Sequence, residues 1–305
     1  MFTRGRIELR FLAALAVLTA GGAVVLAQPW CTPQNARDAG YFWAYHYWAC
    51  AFDALSAVCG VGLTAGDIGD GYTSAGRWVL VALGAAGALL YLSAVLAALR
   101  RIGASLAVWA APRTLHVAAT FGCFLVVAVA IGLVATRFAD EPPAVGAVAA
   151  ESVAAACSLG VFPRPASEST LLAAAVAVIA WLAALGWPVW FFAAPPLLKR
   201  HVQARHALLI AAGYTAMLLI VAWMIAGFET PRGRRGPAHD STMLADQPPT
   251  MRFARGLTQA AAAAGAGVPT EDLAERSVSE GTKATLALLA LVGPATYAAG
   301  GGISW

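Results

Sequence analysis

Apolar residues fall along this chain in long runs separated by shorter ones, in an order that repeats. A bilayer core is crossed by roughly 20 apolar helical residues, and six stretches are candidates for that role. They lie near Phe11 to Leu26, Trp78 to Leu99, Leu115 to Thr136, Leu171 to Phe192, Ala207 to Phe228 and Thr285 to Ser304. Three further apolar runs, Tyr47 to Val58, Val145 to Ala156 and Phe253 to Ala264, are too short to cross and have the length of a re-entrant half-helix. Each short run sits between two long ones. The pattern therefore predicts an all-α membrane protein made of three consecutive span, short helix, span units, covering residues 1–100, 101–206 and 207–305.

The short runs end alike. The first closes on Ser56-Ala57-Val58-Cys59-Gly60-Val61-Gly62-Leu63, the second on Ala154-Ala155-Ala156-Cys157-Ser158-Leu159-Gly160-Val161, and the third on Ala261-Ala262-Ala263-Ala264-Gly265-Ala266-Gly267-Val268. Gly62, Gly160 and Gly267 are 98 and 107 residues apart. Non-helical backbone at membrane depth is tolerated where protein buries it or where it lines a watery cavity. Glycine takes backbone conformations that aim carbonyls at an ion, and the partly negative C-termini of the preceding helices favour a cation. A single run of small residues is ordinarily a close-packing face between helices. Three copies at equivalent positions favour instead three parallel units whose filter segments converge on a central ion pathway.

Composition fits this class. Of 305 residues, 60% are hydrophobic and 12% charged, too little charge for a soluble core of this length. The net charge of +4 comes from basic clusters at span ends rather than from a domain that could bind nucleic acid. Arg4, Arg6 and Arg10, then Arg100, Arg101 and Arg113, then Lys199, Arg200 and Arg205 all fall on one side of a six-span path. That bias puts the N-terminus in the cytoplasm and the re-entrant runs on the outside of a plasma membrane. Arg232, Arg234 and Arg235 oppose it, outnumbered by the nine others. The first run, ending in small residues at Ala27, also has the form of a cleavable signal peptide, but the first unit needs it as a span.

Remaining chemistry is sparse. Cys31 and Cys50 fall in the predicted external region and could form a disulfide, while Cys123 is a small filler in a span. No Cys-x-x-Cys and no His/Cys cluster at ligand spacing predicts a structural metal, and His201 and His206, five apart, do not share a helical face. No nucleophile elbow, phosphate loop or two-His zinc motif predicts an enzyme. Asp53, Glu151 and Asp67 are candidates for a cation-attracting vestibule. Helix-start stabilisation competes evenly for Asp53, as an Asx turn does for Asp67 and Asp70. Tryptophans such as Trp30, Trp48 and Trp78 lie near span ends, as interfacial anchors do.

The segment Phe52-Asp53-Ala54-Leu55-Ser56-Ala57-Val58-Cys59-Gly60-Val61-Gly62-Leu63-Thr64-Ala65-Gly66-Asp67 closely resembles the first pore loop of the Trk/Ktr/HKT superfamily of potassium transporters, usually S-A-V-C-V-T-G-L. Gly186-Trp187-Pro188-Val189 resembles that superfamily's G-F-P-V, and Thr270-Glu271-Asp272-Leu273 its T-V-D-L. The stretch Val292 to Ser304 resembles the Gly-rich intramembrane gating loop, with Gly300, Gly301 and Gly302 as the gate. The likeness runs through essentially the whole chain in the superfamily's order. It departs at Val61, where a filter threonine is usual, at Ser158-Leu159-Gly160-Val161 for N-A-G-F, at Ala264-Gly265-Ala266-Gly267-Val268 for R-T-A-G-F, and at Ser304 for a lysine. The superfamily's fourth unit has no counterpart in these 305 residues. The resemblance implies potassium or sodium as the transported ion with no other cofactor, a homodimer, a cytosolic nucleotide-binding regulatory subunit, and a fourth unit supplied separately. The alternative is a truncated, non-conducting homologue that serves as a membrane scaffold or assembly partner.

Overall fold

Runs of Ala, Leu and Val free of interior proline favour helix, and the computed structural model is helical wherever regular structure is described. It describes residues 5–32, 43–60, 65, 71–103, 114–138, 144–157, 170–185, 201–229, 248–265 and 279–292. Among these residues there are nine α-helices: α1 (Gly5–Leu26), α2 (Trp43–Cys59), α3 (Ser74–Gly103), α4 (Thr114–Thr136), α5 (Val145–Ala156), α6 (Thr170–Ala184), α7 (His201–Phe228), α8 (Pro249–Gly265) and α9 (Glu280–Val292). Four contain a stretch long and apolar enough to cross a membrane, at Leu9–Leu26, Ser74–Ala94, Ala118–Thr136 and Ala211–Phe228. The fourth and sixth expected spans begin as α6, 15 residues, and α9, 13 residues. Their remaining lengths lie outside the described residues.

Helices α1, α2 and α3 all pack on one another, as do α4, α5 and α6, and then α7, α8 and α9. The joints between successive triplets also match. The last helix of the first triplet, α3, packs on the short helix α5, and the last helix of the second, α6, packs on the short helix α8. In water such burial would be driven by the hydrophobic effect, but between helices in lipid close approach of small residues does the work. Gly22 of α1 faces Ala54 of α2, where an added Cβ would meet the Ala54 Cβ at 3.3 Å and Leu83 Cδ1 at 2.7 Å. Gly132 of α4 faces Ser152 and Val148 of α5 in the same way. Both glycines stand four residues before the end of their helix, and Ser152 follows Ala54 by 98 residues. In the third triplet the glycine has changed sides: Gly256 of α8 approaches the Ala222 carbonyl oxygen of α7.

The outward faces of the long helices are apolar. Val126, Val127 and Val134 of α4 and Leu219, Ile220 and Trp223 of α7 are exposed, as suits a multi-pass protein whose surroundings are hydrocarbon. Polar joints tie the first and third helices of the outer triplets. The Thr73 amide donates to the Cys31 carbonyl at 2.8 Å, and its hydroxyl donates to the Trp30 carbonyl at 2.6 Å while accepting from Gly76 N–H at the start of α3. At the start of α9 the Ser279 amide donates to Glu229 Oε1 at 2.8 Å, and its Oγ accepts from Thr282 N–H at 3.3 Å. A hydroxyl N-cap reached from the end of the first helix thus recurs in two triplets.

Candidate functional site

The short helices end where the small-residue runs do. Helix α2 stops at Cys59, and Gly60, with φ at 64°, turns the chain off its axis while its amide donates to the Ala57 carbonyl at 3.1 Å. That left-handed conformation carries no Cβ penalty in glycine. Cys157 closes α5 with its amide shared between the Val153 and Ala154 carbonyls, at 2.9 and 3.1 Å. Helix α8 continues through Ala264 to Gly265, so these two residues belong to the helix. The remaining filter candidates, Val61, Gly62, Leu63, Ser158, Leu159, Gly160, Val161, Ala266, Gly267 and Val268, lie outside the described residues, as do Asp67 and the gate glycines Gly300, Gly301 and Gly302.

Two of the three ends come together. Cys50, Ala54 and Ala57 of α2 share one buried cluster with Ala154 and Cys157 of α5, completed by Ala23, Leu26 and Leu80 of the flanking spans. Ala260 and Ala261 of α8 pack in a second cluster, with Tyr214, Leu218 and Ile225 of α7 and Leu286 and Leu289 of α9. Buried positions coincide along the first two short helices: Cys50 with Val148, Ala54 with Ser152, Ser56 with Ala154, Ala57 with Ala155 and Val58 with Ala156, always 98 residues apart.

Asp53 lies inside this packing, 3% exposed. Its Oδ1 accepts the Ala65 amide at 2.7 Å and its Oδ2 accepts the Tyr72 hydroxyl at 2.7 Å. The same hydroxyl is 3.8 Å from Cys50 Sγ, which His46 Nε2 also approaches at 3.8 Å. Tyr72 precedes α3, and its phenol is pushed far above the ordinary range by burial, with the charge of Asp53 adding to it. It is therefore a standing hydrogen-bond donor. The Cys31 and Cys50 thiols are both buried and unbridged. Burial, with Cys50 adding, pushes the Cys31 thiol up.

Neither a protein-family model nor a curated protein matches the chain.

Glu151 follows Asp53 by 98 residues, the interval that separates Gly62 and Gly160. The two carboxylates therefore occupy one position of the repeat in contrasting settings. Glu151 Oε2 is buried and has no hydrogen-bond partner among the described residues, and the same holds for Ser56 Oγ and Ser152 Oγ. Buried polar atoms ordinarily have partners, supplied by protein, water or an ion. Sequence reading passed over Glu229, 1% exposed at the end of α7. Its Oε1 takes both the Ser279 amide and the Thr282 hydroxyl, and its carbonyl accepts from Arg252 Nη1 at 3.3 Å. The available signal was a lone acid directly after an apolar span, Phe228-Glu229. Among the described residues no group of three or more His, Cys, Asp or Glu side chains could hold a metal ion.

Proposed function

We propose that this chain is a Trk/Ktr-type membrane subunit that passes potassium, or another monovalent cation, through a filter built at the ends of α2, α5 and α8. The observation that carries the reading is the threefold recurrence of one packing unit. In each unit a middle helix ending in small residues packs against the helix before it and the helix after it, and in the second and third units it also receives the last helix of the preceding unit. Such a unit is suited to presenting backbone carbonyls rather than charged side chains to a partly dehydrated cation. The C-terminal ends of the short helices add negative potential where the carbonyls gather. Buried polar atoms at Glu151 and Ser152 of α5 and Ser56 of α2, without partners among the described residues, agree with water or ions close behind the same helices.

In this reading the glycines at 62, 160 and 267 carry the ion-facing bends, Gly300 to Gly302 form the gate, and Glu151 draws cations toward the mouth. The subunit acts in the plasma membrane with its N-terminus inside, as a homodimer with a cytosolic nucleotide-binding partner. The test is growth of a potassium-uptake-deficient strain at low potassium, with Gly62→Ala, Gly160→Ala and Gly267→Ala as controls that insert normally. Rescue by the native chain and by none of the variants supports the proposal. Rescue by all three variants removes the filter assignment, and failure of the native chain alone and with a fourth unit supplied leaves the scaffold reading standing.

A further inference from the structure

The chain leaves α2 at Gly60 and reaches α3 at Ser74, and the carboxylate of Asp53 touches it at two places in between. We infer that Asp53 is the positioning residue of the first pore loop: it fixes where the chain returns at Ala65 and where it enters α3 at Tyr72. The word "pore" rests on the proposed function; the tether itself does not.

Several observations converge on this role. Both contacts are 2.7 Å long, the range of charge-assisted hydrogen bonds. They reach across 12 and 19 residues of sequence, so neither belongs to helix α2 or to a local turn. Because Asp53 is 3% exposed, its oxygens are occupied by protein donors rather than presented to a vestibule. An ionisable group inside a membrane bundle is costly unless such donors meet it. Tyr72 is held in turn from the other side, since the adjacent Thr73 is bonded through its amide to Cys31 and through its hydroxyl to Trp30 at the end of α1. Phenol burial keeps the Tyr72 proton in place as the donor. The Asp53 side chain thereby joins the middle of α2 to Ala65 and to Tyr72 before α3, and Thr73 ties that entry to the residues following α1. The corresponding acid of the second unit, Glu151, has an oxygen with no such partner among the described residues.

The test uses the full-length chain in lipid vesicles, with hydrogen exchange at the Ala65 amide as one readout and the potassium-to-sodium flux ratio as the other. Loss of one hydrogen bond of ordinary net strength shifts an open-closed equilibrium by about tenfold. Tyr72→Phe, which keeps the ring and its packing, should speed Ala65 exchange by about tenfold, and Asp53→Ala by about a hundredfold. Amides in the middle of α1 and α3 should be unchanged. Asp53→Ala combined with Tyr72→Phe should exchange no faster than Asp53→Ala alone, because the lost phenol bond is the same one. The flux ratio should fall in the same order, Asp53→Ala more than Tyr72→Phe. Unchanged Ala65 exchange in Asp53→Ala overturns the inference, and so does equal acceleration across α1 and α3, which marks general loosening. If the native chain, alone and with a fourth unit supplied, shows no selective flux while Ala65 exchange responds as stated, the proposed function fails and the tether stands.

Discussion

Gly87→Ala is the sharpest probe of how the first short helix is seated. Gly87 lies in α3 against Val58, the penultimate residue of α2. An added Cβ would overlap the Val58 carbonyl oxygen and stand 2.7 Å from its carbonyl carbon and 2.8 Å from its Cα. Carbon atoms in good contact are about 3.5–4.0 Å apart, so the backbone must part by roughly 1 Å. The three nearest atoms are all main chain, so no side-chain rotation relieves these contacts. Overpacking of this kind costs about 1–3 kcal/mol, a fall of roughly 2–5 °C in the unfolding midpoint of a chain this long. Because Cys59 and Gly60 follow directly, the displacement is delivered to the helix end proposed to present carbonyls. Gly21→Ala and Gly122→Ala are the controls, since an added Cβ at either meets nothing within 4 Å, and each should be neutral or stabilising by up to about 1 kcal/mol. Thermal unfolding in detergent measures all three. A Gly87→Ala protein as stable as its controls would refute the close seating of α2 on α3.

Three other outcomes follow from single contacts. Gly132→Ala should be destabilising, because its Cβ would overlap Ser152 Oγ. Adding Ser152→Ala should restore most of the loss, since Val148 Cγ1 at 3.1 Å is then the nearest atom; strict additivity in the double mutant would contradict this. Glu229→Ala strips the acceptor from both Ser279 N–H and Thr282 Oγ1 and should cost about 2–4 kcal/mol, with Glu229→Gln losing less than half of that. Equal loss in the two variants, by chemical denaturation, would show that the acceptor is not what matters. Cys31, buried and with its thiol pushed up, should react with a maleimide at pH 7 less than about one-tenth as fast as in the denatured chain, and faster as pH rises; equal rates would contradict its burial.

How far the sequence could be read depended on which interactions set each feature. The short helix Val145–Ala156 is legible to the residue because apolar and small side chains fill it apart from Glu151. Helix α2 starts four residues earlier than expected, at Trp43, because aromatic and histidine side chains around Tyr45 and His46 lower the hydropathy without opposing the helix. Helix α8 likewise begins at Pro249, where a proline at the first helical position was a start signal that an apolar-run criterion ignores. The equivalence of Asp53 and Glu151 was written in the 98-residue interval already used for the glycines.

What the residues do at that shared position was not legible, because it is decided by tertiary partners. Local reading made Asp53 and Glu151 vestibule candidates alike, with helix-start stabilisation competing for Asp53 alone. The fold supplies Tyr72 and the Ala65 amide to one and leaves an oxygen of the other without a partner among the described residues. A phenol 19 residues away has no periodic signature, so no pattern within α2 could announce it. Copies of a unit that share spacing, helix ends and buried faces can still set an acid among different partners, as Asp53 is set against the Ala65 amide and the Tyr72 hydroxyl. If the two carboxylates were interchangeable, removing either would have the same effect on Ala65 exchange; on the geometry, only Asp53 reaches it.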